Sequence, residues 1–336
     1  MQLEGMHVPT TQEARSGSSG ATRKRVILAE PRGFCAGVDR AIGMVEQALD
    51  TYGAPVYVRK EIVHNQHVVK ELEGRGAVFV HSEEDVPEGA ICIFSAHGVS
   101  PAVRENSARQ GLRVIDATCP LVSKVHQQSR RAAASGHTIL LIGHADHEEV
   151  EGTVGEAPEK TIVVETVESA RTLDIPAGTK LSFLTQTTLS LDETRDIIDE
   201  LTRRFPDIQG PGTGDICYAS QNRQNAVKEI AAESDLLLVV GSDNSSNSVR
   251  MVEVARGLGT ASHLVNDVTK LDESWLDGVD TVGVTSGASA PEILVEQLLE
   301  RLAALGYGGR DTVRTAEENV VFAIPGSLFE HVGRES

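Results

Sequence analysis

From Val26 onward, short apolar runs alternate with segments whose apolar residues recur at helical spacing. Strands that alternate with helices form mostly parallel sheets joined by right-handed crossovers. The sequence therefore predicts an α/β fold. The predicted strands are VILA (26–29), VYV (56–58), AVFV (77–80), ICIF (91–94), RVI (113–115), TILLI (138–142), IVV (162–164), LSFL (181–184), LLLVV (236–240), HLV (263–265) and TVGV (281–284).

Three of the four cysteines recur in one local context. Cys35, Cys119 and Cys217 each follow a short extended or turn segment, and each directly precedes a predicted helix. A helix N-terminus carries partial positive charge and unpaired N–H groups, which favour the thiolate form of a cysteine. The repetition predicts three small α/β units in a pseudo-threefold, trefoil-like arrangement, with these cysteines near the axis.

The three cysteines also suggest where the units begin and end. We predict a first unit at 37–119, a second at 120–213, and a third formed by 25–36 together with 214–308. The third unit needs the N-terminal segment because VILA can supply the final strand that it lacks. Residues 1–24, rich in Ser, Gly and Thr, are predicted to form a disordered extension, and 309–336 a C-terminal tail.

Charge and composition exclude several classes of partner. The 31 Lys and Arg against 49 Asp and Glu give a net charge of −18, which repels nucleic acid and anionic membrane surfaces. No apolar stretch approaches the roughly 20 residues of a membrane span, and the N-terminus lacks the hydrophobic run of a secretory signal. We therefore expect a cytoplasmic protein without nucleic-acid or membrane partners. A small anionic substrate stays compatible with this charge, because histidines and helix N-termini attract anions locally.

The cysteine spacing narrows the metal chemistry. The chain has no C-x-x-C motif and no close cysteine pair, which argues against a disulfide framework, a zinc ribbon or a ferredoxin-type run. Cys92 lies inside the apolar run AICIF and is predicted to be a buried strand residue. Three converging thiolates suit a [4Fe–4S] cluster with one iron left open. Zinc held by three thiolates and one histidine is the competing interpretation.

Polar residues follow six of the predicted strands, at EIVHN, SAHGVS, GHADHEEVEG, TQTTLS, GSDNSSNS and TSGASAP. Ligands of parallel α/β sheets bind beyond the carboxyl ends of the strands, so these six loops and the three cysteines should share one central site. Imidazolium, hydroxyl and amide groups donate hydrogen bonds to phosphate oxygens. The candidate donors are His64, His97, His147, Ser245, Ser246, Asn247 and Ser289.

The segment HEEVEG offers three candidate acids, Glu148, Glu149 and Glu151. A carboxyl group held beside an anion has a raised pKa and can deliver a proton. Acidic residues near the start of a helix are also common without any catalytic role. Nothing in the local sequence selects one of the three.

Taken together and in order, nine segments resemble the motifs of the 4-hydroxy-3-methylbut-2-enyl diphosphate reductase family. They are PRGFCAGVDRAI, EIVHN, IFSAHGVS, DATCPLVSKVH, LIGHADHEEVEGT, FLTQTTLS, DICYASQNRQ, VVGSDNSSNS and GVTSGASAPE, and the resemblance covers roughly residues 25 to 325. It implies reductive dehydroxylation of the (E)-allylic alcohol diphosphate to isopentenyl and dimethylallyl diphosphates, the last step of the non-mevalonate isoprenoid pathway. It also implies an electron donor such as ferredoxin or flavodoxin.

The resemblance assigns roles to individual residues. It implies that Cys35, Cys119 and Cys217 hold a [4Fe–4S] cluster whose open iron binds the substrate hydroxyl, and that Glu149 donates a proton. Thr187 matches the residue placed near the substrate hydroxyl. The residues implied to surround the diphosphate are His64, His97, His147, Ser245, Ser246, Asn247 and Ser289.

One position departs from the family pattern, which usually reads His-Pro-Glu where this chain reads His147-Glu148-Glu149. The spacing from histidine to the second glutamate is intact, so Glu149 keeps its implied role. We expect loss of the proline to loosen the turn. We also expect the extra acid to disfavour a diphosphate or to shift the pKa of the proton donor.

A cluster-dependent dehydratase acting on a small phosphorylated substrate is the alternative function. Such an enzyme also uses an open iron but needs no external electrons, so turnover without a reductant would favour it. A colourless protein with stoichiometric zinc would instead favour a zinc hydrolase. A cluster-containing regulator usually carries a basic nucleic-acid-binding element, and this acidic sequence shows none.

Overall fold

The structure, a computed structural model, describes residues 24–212 and 214–326, so the predicted disordered extension lies outside the described residues except for Lys24. All eleven predicted strands are present. The strands of the described chain are β1 (Arg25–Glu30), β2 (Val56–Arg59), β3 (Ala77–Val80), β4 (Ile91–Phe94), β5 (Arg113–Asp116), β6 (Thr138–Ile142), β7 (Thr161–Val164), β8 (Leu181–Thr185), β9 (Leu236–Val240), β10 (Ala261–Val265), β11 (Thr281–Ser286) and β12 (Gly309–Arg314).

Helices connect these strands. They are α1 (Ala36–Tyr52), α2 (Gln66–Gly74), α3 (Pro101–Arg109), α4 (Pro120–Ala134), α5 (Glu148–Gly155), α6 (Val167–Thr172), α7 (Leu191–Arg204), α8 (Tyr218–Ala231), α9 (Ser246–Gly257) and α10 (Glu292–Ala304). None of the helices in the described part of the chain combines the length and the apolar character needed to span a bilayer.

The strands form three separate sheets. The first has the order β3-β2-β4-β5, the second β7-β6-β8 and the third β10-β9-β11-β1-β12. Every pairing of neighbouring strands in these sheets is parallel. The predicted fold class, three small α/β units with parallel sheets, is confirmed.

The third sheet is built from both ends of the chain. Strand β1 lies next to β11, with Val26 paired to Val282, which is the position that the incomplete third unit predicts. The sequence predicts no strand after β11, yet β12 pairs along the other edge of β1. Strand β12 (GRDTVR) is polar and largely exposed, so it lacks the apolar run that marks the other strands. The unit boundaries stay a prediction, to which we propose adding β12 in the third unit.

Both faces of the third sheet are covered. In β9, Leu236 and Leu238 pack on one face with α10, while Leu237 and Val239 pack on the other face with α8 and α9. A parallel sheet buried on both faces requires apolar residues at successive positions, which explains why LLLVV is a continuous apolar run. The same arrangement brings the carboxyl ends of the strands and the N-termini of the helices to one side of each sheet.

The C-terminal segment (residues 315–326) crosses from the third unit to the first. Glu318 pairs at 3.0 Å with Arg223 of α8, whose side chain is fully buried. Arg223 also donates to the carbonyl of Gly33, two residues before Cys35. Further along the segment, the carbonyl of Ala323 accepts from Arg40 of α1. The segment therefore fastens two cysteine-bearing helices, α1 and α8, to each other.

We expect Glu318→Ala to lower the free energy of unfolding by about 3 kcal/mol, because it leaves the buried Arg223 guanidinium without its carboxylate. Urea denaturation followed by circular dichroism would measure the loss. Glu317→Ala is the matched control: Glu317 and its partner Arg314 are both well exposed and 3.7 Å apart. We expect that variant to change stability by less than about 0.5 kcal/mol. Equal losses in the two variants would contradict the role of the buried pair.

Candidate functional site

A central cavity of about 100 Å³ lies where the three sheets present the carboxyl ends of their strands. All twelve residues selected from the sequence line this cavity, although they come from widely separated parts of the chain. They are Cys35, His64, His97, Cys119, His147, Glu149, Thr187, Cys217, Ser245, Ser246, Asn247 and Ser289.

The three cysteines occupy equivalent positions. Each is the N-cap residue of a helix: Cys35 precedes α1, Cys119 precedes α4 and Cys217 precedes α8. Each also donates its backbone N–H to a carbonyl just beyond the end of a strand. Those carbonyls belong to Ala288 after β11, Ala96 after β4 and Thr187 after β8, at 3.1, 3.0 and 2.9 Å respectively. This repetition is the pseudo-threefold relation that the sequence predicts.

Gly37, in the first turn of α1, lies against two of the cysteine sulfur atoms. A Cβ atom built on Gly37 would lie 2.7 Å from Sγ of Cys119 and 3.8 Å from Sγ of Cys35. The first distance is shorter than real Cβ contacts allow, so only glycine fits between the two sulfurs. The sequence analysis does not single out this residue, since its role depends on a contact between distant segments.

The thiols differ from the expectation for helix N-termini. Burial raises the pKa of Cys119 to about 12, although backbone N–H groups of α4 lower it. Burial likewise raises the pKa of Cys217 to about 11, against a hydrogen bond from Ser220. At Cys119 and Cys217, desolvation therefore outweighs the helix N-terminus, contrary to the expectation that the helix favours the thiolate. A metal that binds here must displace the thiol protons.

The sulfur positions distinguish the two metals. Within the described ranges, the potential ligand atoms that lie within 4.8 Å of one another as a group of three belong to His64, His97 and Glu148. The three cysteine sulfurs form no such group. Thiolates on one zinc ion, with Zn–S bonds of about 2.3 Å, cannot be more than about 4.6 Å apart. The donor set thus fits a multinuclear cluster better than a single zinc ion.

Cys92 is buried in β4 with Phe94 and Val103, as predicted, and does not line the cavity.

Three imidazole rings form a compact cluster on one side of the cavity. His64 and His97 are stacked with ring centroids 3.9 Å apart, and His147 lies edge-on to both. His147 caps α5: its Nδ1 accepts the backbone N–H of Glu149 at 3.1 Å. Burial first, and then the neighbouring imidazoles, lower the pKa of His147 to about 3. This ring is therefore neutral at physiological pH, and its proton resides on Nε2.

The structure separates the three candidate acids. Glu149 is 2% exposed, and its two carboxylate oxygens accept the backbone N–H and the hydroxyl of Thr187 at 2.7 and 2.9 Å. Burial raises the pKa of Glu149 to about 7 despite these bonds. Glu151 is exposed and pairs with Lys60 at 2.7 Å, away from the cavity. Glu148 contacts His97.

The polar residues of the third unit bridge to the other two. Ser289 donates to the carbonyl of His64 at 2.9 Å, and Ser246 donates to the carbonyl of Thr188 at 3.2 Å. Asn247 donates from its amide to Ser220 at 3.2 Å, next to Cys217. These side chains line the cavity at the junctions between units, so a bound anion there would contact all three units.

A family model described as LytB protein matches residues 26–303 of this chain. The chain belongs to the LytB protein family. This LytB protein is 56% identical over 325 residues to a 4-hydroxy-3-methylbut-2-enyl diphosphate reductase of Rhodococcus opacus, covering 96% of this chain and 97% of the relative. It is 57% identical over 316 residues to 4-hydroxy-3-methylbut-2-enyl diphosphate reductase 2 of Mycobacterium tuberculosis, covering 94% of each chain.

Solved structures give the same family. The structure of this LytB protein is similar to that of the E-1-hydroxy-2-methyl-but-2-enyl-4-diphosphate reductase of Plasmodium falciparum, with a TM-score of 0.89 and 41% identity over 92% of this chain and 98% of the other. A second solved reductase, described as the terminal enzyme of the non-mevalonate pathway, gives a TM-score of 0.59 and 31% identity over 84% of this chain and 99% of the other. The family resemblance inferred from the motifs is confirmed.

Two further residues that line the cavity, Phe322 and Tyr218, were not selected from the sequence. Phe322, in the C-terminal segment, lines the cavity although it lies almost 20 positions beyond α10. Tyr218 follows Cys217, and its hydroxyl accepts the backbone N–H of Ala36 at 3.4 Å. Phe322 lies outside the nine motifs whereas Tyr218 lies inside DICYASQNRQ, and only the tertiary fold brings both to the site. Tyr218 could have been noticed as the residue next to a candidate ligand.

Proposed function

We propose that this LytB protein reduces (E)-4-hydroxy-3-methylbut-2-enyl diphosphate to isopentenyl and dimethylallyl diphosphates. The reaction consumes two electrons and two protons, breaks the C–O bond of the allylic alcohol and releases the oxygen as water. The observation that carries the proposal is the convergence of three N-cap cysteines, a buried acid and a histidine cluster on one cavity. Two relatives named 4-hydroxy-3-methylbut-2-enyl diphosphate reductase align with nearly the whole chain.

Cys35, Cys119 and Cys217 are the residues that would hold a [4Fe–4S] cluster. Their sulfur atoms are too widely spaced for one zinc ion, and Gly37 leaves room between two of them. The chemistry that such a cluster supplies when bound is electron transfer and Lewis-acid polarisation of the C–O bond. We infer that ferredoxin or flavodoxin delivers the electrons in the cytoplasm, as the family resemblance implies.

The chain's own residues bind the diphosphate. The neutral ring of His147 can donate from Nε2, because its Nδ1 is occupied by the backbone of α5. His64 and His97 supply further donors beside it, and Ser245, at the N-cap of α9, adds a hydroxyl. Donors from three units converging on one anion hold a small flexible substrate in a single orientation.

Glu149 supplies a proton within the cavity. A carboxyl group with a pKa of about 7 is partly protonated near neutral pH, which is the property required of a general acid. The backbone N–H and hydroxyl of Thr187 fix the plane of its carboxyl group. Thr187 therefore lies next to both the acid and Cys217, whose backbone N–H it accepts, where a substrate hydroxyl would need to sit.

An anaerobic assay tests the proposed function directly. Reconstituted protein, dithionite and a viologen mediator would be mixed with the allylic diphosphate, and products followed by mass spectrometry. We expect five-carbon diphosphates that lack the hydroxyl, and none when the reductant is omitted. Turnover that persists without a reductant would instead support the dehydratase, and no turnover by cluster-containing protein with a competent reductant would exclude this substrate.

Gly37→Ala gives a second test that does not depend on turnover. We expect the added methyl group to collide with Cys119 and to lower bound iron several-fold, even though alanine favours a helix by about 1 kcal/mol over glycine. Iron content and visible absorption after reconstitution would measure the effect. The control Gly74→Ala adds a methyl group at the end of α2, where nothing lies within 4 Å. Normal iron loading by Gly37→Ala would contradict this account of the cysteine site.

A further inference from the structure

Glu148 contacts the histidine cluster rather than the proton donor next to it. Its Oε2 lies 3.2 Å from Nδ1 of His97, at ion-pair distance although not aligned as a hydrogen bond. Both side chains are mostly buried. Burial by itself would raise the pKa of Glu148, but His97 first, and then His64 and Lys60, lower it to about 2. Glu148 is therefore a carboxylate throughout the physiological range of pH.

The three histidine rings differ in which groups contact their Nδ1 atoms. At His64, Nδ1 lies 3.3 Å from a carboxylate oxygen of Glu61. At His147, Nδ1 accepts a backbone N–H and the ring is neutral. At His97, Nδ1 lies 3.3 Å from the hydroxyl of Ser95 and 3.2 Å from the carboxylate of Glu148, at the position where the family pattern has proline. Each of the two stacked rings thus has its own carboxylate, and the third has none.

A carboxylate at Nδ1 changes what a histidine offers to an anion. It favours a proton on Nδ1, and in the neutral ring Nε2 then becomes an acceptor, which repels a phosphate oxygen. With both nitrogens protonated, the imidazolium pairs with the carboxylate at Nδ1 and donates from Nε2. The stacked arrangement of His64 and His97, with ring centroids 3.9 Å apart, disfavours two charged rings. Burial first, and then His97, lower the pKa of His64 despite its contact with Glu61.

We propose that Glu148 is a positioning residue for His97: its carboxylate faces Nδ1, so that Nε2 of a ring protonated on both nitrogens is free to donate to the substrate diphosphate. This inference rests on the proposed function, because it names a determinant of diphosphate binding at the same site. It reverses the expectation from sequence that the extra acid disfavours a diphosphate. Around His97 and Glu148, the described part of the chain places His64 and His147 against the ring of His97, Lys60 near Glu148, and Glu61 against His64.

The proposal predicts an effect of Glu148 that depends on pH. At about pH 8, an imidazole without a neighbouring carboxylate has one protonated nitrogen, so it offers one N–H donor and not two. Glu148→Gln should therefore raise the Kd of diphosphate about fivefold or more at this pH. At about pH 6, an imidazole holds its proton without help, and the variant removes only a negative charge near the anion. The Kd of the variant should then equal that of the unmodified protein or fall below it.

Calorimetric titration with inorganic pyrophosphate at both pH values would measure this effect, and KM in the anaerobic assay would parallel it. Glu148→Pro is a second variant that removes the carboxylate and keeps the backbone. Proline is tolerated at the first position of a helix, and His147 already has the extended conformation that precedes proline (φ −84°, ψ 135°). Glu159→Gln removes an exposed carboxylate from the same unit and serves as the control for net charge.

A double variant, Glu148→Gln with His97→Gln, tests whether the effect of Glu148 on pyrophosphate affinity depends on His97. In the His97→Gln background, the loss of Glu148 should no longer weaken pyrophosphate binding at about pH 8. An equal change in Kd at both pH values, or a weakening that persists without His97, would overturn the inference while the assay still reports reductase activity. If the unmodified protein neither binds pyrophosphate nor turns over the substrate, the proposed function fails and this inference fails with it.

Discussion

Cys119→Ser should abolish loading of the iron–sulfur cluster and lower reductive turnover by more than about 100-fold. Loss of a group that merely supports a metal ligand costs 10- to 100-fold, and Cys119 is proposed as a ligand itself. Serine keeps the size and the N-cap position of the residue, and the backbone bond to Ala96 does not involve the side chain. The measurements are iron and sulfide content, visible absorption and anaerobic turnover.

Cys92→Ala is the matched control for the loss of a cysteine. Cys92 packs inside the first unit against Phe94 and Val103, away from the cavity. We expect this variant to bind a full complement of iron and to lose about 1 kcal/mol of stability through the lost core contact. Full cluster content in Cys119→Ser, or equal loss of iron in both variants, would contradict the proposed ligand set.

Most strands of this fold can be predicted from sequence because a buried strand requires apolar residues at successive positions. A strand such as β9 (LLLVV) is covered on both faces, so every position is apolar and the signal is local. Strand β12 is an edge strand with exposed polar side chains, and its pairing with β1 depends on main-chain hydrogen bonds that leave no mark on composition. The N-cap positions of the three site cysteines can also be predicted from neighbouring residues, since each cysteine directly precedes an amphipathic helix.

The choice of Glu149 among the three glutamates came from the family resemblance and not from the local sequence, because it depends on burial and on distant partners. Glu148, Glu149 and Glu151 occupy the first turn of one short helix, and neighbours from other segments decide their environments. Lys60 pairs with Glu151, His97 contacts Glu148, and Thr187 binds Glu149. The expectation of a thiolate failed at Cys119 and Cys217 for the same reason, since a helix N-terminus can be recognised in the sequence whereas desolvation by packed segments cannot.

Glu149→Gln should lower kcat by a factor of about 10² to 10⁴, the usual contribution of a positioned general acid. Glutamine has the same shape and can still accept a hydrogen bond from Thr187, but it has no proton to release. We expect iron content and pyrophosphate affinity to change little, because the hydrogen bonds of its carboxyl group go to Thr187. Turnover and binding measured on the same preparation would separate the two effects.

Glu151→Gln is the control for Glu149→Gln, since it removes a carboxylate from the same turn of α5. Its side chain is 54% exposed and pairs with Lys60 outside the cavity. An exposed pair of this kind contributes little, so we expect activity to stay within about twofold of the unmodified protein. If Glu151→Gln were the more damaging change, the proton donor would have to be reassigned.

The pH dependence of turnover is a second test of the same assignment. Burial raises the pKa of Glu149 to about 7, and an acid must hold its proton before it can donate it. The protonated fraction falls as pH rises through that value, so kcat should decrease about tenfold for each unit of pH above it. The alkaline limb should disappear in Glu149→Gln, where the residual rate no longer depends on this group. An identical limb in the variant would mean that another group controls the decline, because glutamine does not titrate.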